Sequence, residues 1–186
     1  MSAPRTSKPK STARPGAKPQ TIALGLSLQV GTGLTASCPD GQWPISRARL
    51  RRLVTASLDA RTTSAQITLR LVGQAEGRQL NRDFRDKDYA TNVLTFDYSG
   101  PPELAADIVI CLPVIQKEAK AQKKTVDAHL VHMVVHGLLH ACGLDHESDE
   151  EAEAMEALEV RILSRFRIAN PYGTLGAPQL PMLPHD

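Results

Sequence analysis

Five of the chain's six histidines lie between His129 and His146. Three of them stand in the stretch HGLLHACGLDH, at His136, His140 and His146. On a helix, residues four apart differ by about 40° in rotation and about 6 Å in rise. Imidazoles at His136 and His140 therefore leave one face and can converge on one ion. The helix cannot supply a third ligand one turn on, because that position is Leu144. Gly143 stands where such a helix would stop. Glycine tolerates the left-handed backbone of a helix end, so the chain can turn there and bring His146 round to the same ion. Three neutral imidazoles with an open fourth position favour a single zinc ion, or another divalent metal, and suit catalysis rather than structure. An ion held that way lowers the pKa of bound water to about 7 and polarises an oxygen ligand.

The spacing is similar to a zinc-protease signature with one change. Gly137 stands where such a protease carries its catalytic glutamate. A peptide-hydrolysing site without that general base is disfavoured. Around the motif, His132 sits one turn before His136 on the same face. It reads as a partner behind the ligand, a substrate contact or a satisfied helix histidine. His129 reads similarly but more weakly. Asp145 either orients an imidazole through its other nitrogen or caps the turn. Cys142 reads as a small apolar residue at the helix end.

The elements that must position these residues follow from periodicity. Ile22, Leu24, Leu26, Leu28 and Val30 alternate as in a half-buried strand. A helix follows Pro44, with Ser46 as N-cap and Leu50, Leu53, Val54 and Leu58 on one face. Its Arg47, Arg51 and Arg52 point elsewhere, as a solvated surface or an RNA-facing stripe. AQITLRLVG is a second strand, QAEGRQLNRDFR a short helix, TNVLTFDY a third strand and AADIVICLP a fourth, more fully apolar and central. VIQKEAKAQKK is helical, Thr125 caps the helix that carries the metal motif, and SDEEAEAMEALEVRILSRF is a last amphipathic helix with Met155, Leu158, Ile162 and Phe166 inward. The expected fold is a single α+β domain over residues 21–168. It has a mixed sheet of about four strands, about five packed helices and the zinc site at the end of a central helix. Residues 1–20, basic and rich in Pro and Ser, read as a disordered tail, and 169–186 as an irregular Pro/Gly-rich one.

Lysine plus arginine number 22 against 20 acids, so bulk charge does not argue for nucleic acid. Clusters do better: Arg78, Arg82, Arg85 and Lys87 in one segment, and Lys117, Lys120, Lys123 and Lys124 in another. Each is a solvated helix face or one wall of a phosphate-binding groove. At 4% aromatic, extended base stacking is not expected. The three cysteines are odd in number and widely spaced, which points to a reducing, cytoplasmic compartment. No apolar run approaches the roughly 20 residues of a membrane span, and no apolar core marks a leader at the start.

The motif His136-Gly137-x-Leu139-His140-x-x-Gly143-x-Asp145-His146 resembles the signature of the YbeY family of metal-dependent, single-strand endoribonucleases. LNRDFRDKDYATNVLTFDY, DIVIC, HMVVHG and DEEAEAMEALE are similar to further blocks of that family, over roughly residues 65–166. Ala90, Thr95 and Leu144 depart from its usual Pro, Ser and Tyr, and none of these is a ligand. The resemblance implies His136, His140 and His146 as ligands of a zinc-like ion, with His136 and Arg85 in the catalytic role. Lys87, Asn92 and His132 are secondary candidates for substrate binding. It also implies single-stranded rRNA as substrate, 16S rRNA 3′-end processing and ribosome quality control, and as partners the small ribosomal subunit, its proteins and an assembly GTPase. Two other classes fit the same residues: a non-enzymatic ribosome-assembly factor with a structural zinc, and a metal-dependent hydrolase of a small substrate, which would need a deep apolar pocket beside the ion.

Overall fold

A computed structural model describes residues 22–34, 36–38, 40–144 and 148–173. Both expected tails fall largely outside this range, as do Asp145 and His146. The elements run β1 (Ala23–Val30), α1 (Arg47–Ser57), β2 (Ser64–Val72), α2 (Gln74–Arg85), β3 (Val93–Ser99), β4 (Glu103–Cys111), α3 (Leu112–Ala121), α4 (Val126–Ala141) and α5 (Asp149–Arg165). The sheet order is β1-β2-β4-β3. β1, β2 and β4 are parallel, and β3 pairs antiparallel with β4. This is the mixed four-stranded α+β domain that the periodicity predicts, with the apolar β4 inside the sheet.

The sheet alternates its faces. Ile108 and Ile110 of β4 join the main core with residues of α1, α3, α4 and α5, while Val109 and Cys111 turn to a smaller cluster against α2. α4 lies at the centre of the main core, contacting β3, β4, α1, α3 and α5. Its residues from His129 to Leu139, His136 excepted, are buried, as expected of a helix that is apolar nearly all round. Among the described residues no helix is long and apolar enough to cross a membrane.

Helix ends follow their capping chemistry. The Ser46 side chain accepts from Arg49 N, and Thr125 Oγ1 accepts from Ala128 N at 3.1 Å. Ser148 and Glu151 form a reciprocal capping box at the start of α5. α4 ends on Gly143 at φ 85°. Gly143 N–H donates to His140 O at 2.8 Å and Leu144 N–H to Leu139 O at 3.1 Å, the paired bonds of a Schellman turn. The turn expected at Gly143 is therefore present, and it leads into the segment that carries His146.

Arg47, Arg51 and Arg52 of α1 are all exposed, and two of them also bind the sheet. β1 is an edge strand, so alternate carbonyls face away from β2. Arg51 donates to Leu24 O at 3.1 Å, and Arg47 donates to Leu26 O. Arg49 pairs with Asp127 at 2.7 Å, tying α1 to the start of α4. These three guanidiniums secure the sheet edge and the helix layer.

Candidate metal and phosphate site

α4 meets the sheet closely at Gly137. A Cβ there would lie 2.8 Å from Ile108 Cγ2, 3.2 Å from Thr95 Oγ1 and 3.3 Å from Val93 Cγ2. The missing glutamate of the protease pattern thus has a packing cause. A side chain at 137 would run into β3 and β4, so the helix would have to lift off the sheet to carry one.

On either side of Gly137 along α4, His136 and His140 face a cleft of about 510 Å³. Its walls come from the end of α2 (Arg85), from Asn92 and β3 (Thr95, Asp97) and from the α4 histidines and the turn after them (Gly143, Leu144). Much of the lining is polar, and the space is a cleft rather than a closed cavity. The deep apolar pocket of the small-substrate alternative is not here.

The two imidazole Nε2 atoms stand 3.1 Å apart, with ring centroids 4.6 Å apart and planes at 82°. Two nitrogens bound about 2.0–2.1 Å from one tetrahedral ion would stand roughly 3.3 Å apart, so the pair fits a shared ligand position. His136 Nδ1 lies 2.7 Å from Glu159 Oε1. Among the described residues no group of three His, Cys, Asp or Glu side chains surrounds a single point. The third expected ligand, His146, lies outside them. Cys142 is buried and directs its thiol to Ser57 O, away from the cleft. Burial pushes that thiol's pKa up, the opposite of a ligand thiolate.

Arg85 is the last residue of α2. The helix stops because Asp86 takes a left-handed conformation, φ 56°, and returns its N–H to Arg82 O at 3.1 Å. That stop places the Arg85 guanidinium over β3, where Nη2 donates to Thr95 O at 3.3 Å. Thr95 Oγ1 donates in turn to Gly137 O at 3.3 Å. A chain of bonds thus joins α2, β3 and α4 across the cleft. Arg78 and Arg82 differ from Arg85: they pair with the carboxylates of Asp88, at 2.6 Å, and Asp83, at 3.1 Å. Arg78 and Lys117 do line one groove, but Asp88 and Glu118 line it too, so its charge is balanced. Lys124 donates to Gln122 Oε1 and Pro171 O, each at 2.8 Å.

The secondary candidates divide. Asn92 lines the cleft, with Oδ1 accepting from Val93 N and Nδ2 donating to the Glu118 carboxylate at 3.2 Å. Lys87 is exposed beyond the end of α2 and does not line the cleft. His132, 7% exposed, also does not line it. Its Nε2 lies 3.2 Å from both Glu159 Oε2 and the Tyr172 hydroxyl. Its partners are thus Glu159 and Tyr172, away from the cleft.

Two residues of the site escape the sequence reading. Glu159 of α5 is completely buried and accepts from His136, His132 and the Tyr172 hydroxyl. Burial alone would raise its pKa, but the three hydrogen bonds outweigh burial and hold it at about 2. Tyr172 belongs to the segment read as irregular tail. Burial first, then its bond to the Glu159 carboxylate, pushes the phenol pKa up. A usable signal existed for Glu159, because it stands four after Met155 and three before Ile162 and so lies within the apolar stripe of α5.

Known proteins share this chain's sequence over most of its length. The family model described as Endoribonuclease YbeY matches residues 38–167, which extends the likeness upstream through α1. The Endoribonuclease YbeY of Aromatoleum aromaticum is 47% identical over 151 residues, 81% of this chain and 92% of that protein. The one from Polaromonas naphthalenivorans is 51% identical over 151 residues, 81% of this chain and 97% of its own. That of Janthinobacterium sp. is 56% identical over 131 residues, covering 69% and 84% of the two chains. Similarity of that depth, spanning the α2–β3 wall, the α4 histidines and the start of α5 alike, places the chain in the Endoribonuclease YbeY family.

Proposed function

We propose that this protein is a metal-dependent endoribonuclease that cuts single-stranded RNA, acting in rRNA 3′-end maturation on the small ribosomal subunit. One observation carries the reading: a histidine pair with Nε2 atoms 3.1 Å apart shares a polar cleft with Arg85, which bonds Thr95 O and makes no salt bridge among the described residues. Membership in a family described as endoribonuclease, and relatives of that name, support it.

His136 and His140 would hold the ion from one face of α4, with His146 as the third ligand after the Gly143 turn. A zinc-like ion in that place supplies Lewis-acid stabilisation of the phosphate and activation of a nucleophile at neutral pH. The chain's own residues provide the rest. Arg85 has five N–H donors in a planar fork, and one bond to Thr95 leaves the others for a phosphate. Set on the opposite wall, it can neutralise the negative charge that grows on the phosphoryl oxygens in the transition state. Asn92, held by Oδ1 accepting from Val93 N and Nδ2 donating to the Glu118 carboxylate, lines the cleft as a second contact for the substrate. Phe84, next to Arg85, is 61% exposed and packs edge-on against Phe96 at 5.0 Å, so it can stack one base without an extended platform. Sequence preference should be weak, the ribosome supplying the target.

The test is cleavage of single-stranded RNA by the purified chain, alongside its metal content. Cleavage that requires the metal and is lost in His140→Ala is expected. Full cleavage and full metal content in His140→Ala would overturn the assignment. In cells depleted of the wild-type protein, an Arg85→Ala copy should leave unprocessed rRNA 3′ ends. Normal ends with Arg85→Ala, and misfolding of the ligand variants, would favour an assembly factor instead.

A further inference from the structure

Glu159 is a completely buried carboxylate among the apolar residues of α5, and the proposed reaction gives it no direct work. A carboxylate accepts hydrogen bonds, and this one has three N–H or O–H groups within reach, so each of its three partners donates. His136 Nδ1, 2.7 Å from Oε1, therefore carries the proton. A neutral imidazole has one proton, so His136 Nε2 bears the lone pair, and that nitrogen lies 3.1 Å from His140 Nε2 at the cleft. The other oxygen, Oε2, is held by His132 Nε2 at 3.2 Å and by the Tyr172 hydroxyl. With both oxygens engaged, the carboxylate cannot rotate, and neither can the ring bonded to it. The two donors at Oε2 arrive from α4 and from the segment after α5, so the clamp joins three parts of the chain.

We propose that Glu159 is a positioning residue for the metal: it fixes the His136 tautomer and ring angle so that Nε2 faces the ion, with His132 and Tyr172 holding the carboxylate in place. This rests on the metal reading above. Carboxylates behind histidine ligands commonly tune metal affinity by about 10–100-fold. Glu159→Gln keeps the shape but offers one acceptor oxygen in place of two and turns a donor toward His132 and Tyr172.

The experiment uses the full chain. Zinc affinity is measured by competition with a chromophoric chelator for wild type, Glu159→Gln, Tyr172→Phe and His140→Ala. The His136 tautomer is read from long-range ¹H–¹⁵N spectra of the metal-free protein. Wild type should show Nδ1–H only. Glu159→Gln should show mixed tautomers and zinc binding weaker by about 10–100-fold, with Tyr172→Phe in between. If Glu159→Gln does not fold, Tyr172→Phe decides: unchanged affinity and tautomer would overturn the proposal. Wild-type affinity in Glu159→Gln, with weak binding in His140→Ala, would also overturn it while leaving the metal site intact. Equal binding by wild type and His140→Ala would remove the metal reading itself.

Discussion

At the N-terminal end of α4, His129 and His132 are 3% and 7% exposed, and each turns Nε2 to a carboxylate, Glu118 at 2.7 Å and Glu159 at 3.2 Å. Their Nδ1 atoms are buried without a hydrogen-bond partner among the described residues. One turn further on, His136 is reversed: Nδ1 meets the carboxylate and Nε2 looks to the cleft. An imidazole has two nitrogens, and the one that faces the carboxylate decides what the other is for. Where Nε2 faces inward, Nδ1 is shut in the helix layer, out of reach of the cleft. Where Nδ1 faces inward, Nε2 turns to the cleft and meets His140 Nε2. One helix thus holds its histidines in two orientations, Nε2 inward at His129 and His132 and Nδ1 inward at His136.

Substitution at the two ends should separate these roles. The largest effect is expected for His140→Ala, which should lose RNA cleavage and zinc binding together, by more than the roughly 100-fold typical of a residue behind a ligand. Its metal-free unfolding midpoint in urea should stay near wild type. Arg85→Ala should follow, with kcat lower by about 10²–10³-fold and zinc content unchanged. Lysine at 85 should recover little, because it lacks the planar fork. His129→Ala is the opposite case. It should cost about 1–3 kcal/mol in urea unfolding of the metal-free chain, since it strips the Glu118 carboxylate of its buried donor. Cleavage should fall only a few-fold, through the looser Asn92. Gly137→Ala, which forces a carbon to within 2.8 Å of Ile108, should cost a similar ~1–3 kcal/mol. Smallest is Thr95→Val, about 1 kcal/mol for the lost bond to Gly137 O, with Thr95→Ser close to wild type. A His129→Ala protein that is fully stable but inactive would break the comparison outright.

Much of this was readable from residue order. Strand alternation, the caps at Ser46 and Thr125 and the Gly143 stop are local, and local signals survive into the fold. The convergence of His136 and His140 is equally local, needing only helical geometry. Arg85 required the family's motif, because its place in the cleft depends on α2 ending just over β3. What stayed hidden was tertiary. Arg47 and Arg51 could not be assigned to sheet carbonyls until β1 was known to be an edge strand. Gly137 was read through the glutamate it lacks, whereas its neighbours across the sheet show why nothing larger fits. Glu159 was passed over because the apolar stripe around it was counted for its hydrophobic members, though a charge inside such a stripe must find buried partners.

The central claim is that the α4 histidine pair and Arg85 form one site with divided labour, metal on one wall and phosphate on the other. The most direct test measures bound zinc and single-stranded RNA cleavage on the same preparations of wild type, His140→Ala and Arg85→Ala. His140→Ala should lose both, and Arg85→Ala should lose cleavage alone. Cleavage at the wild-type rate by Arg85→Ala, or zinc and cleavage both retained by His140→Ala, would contradict it.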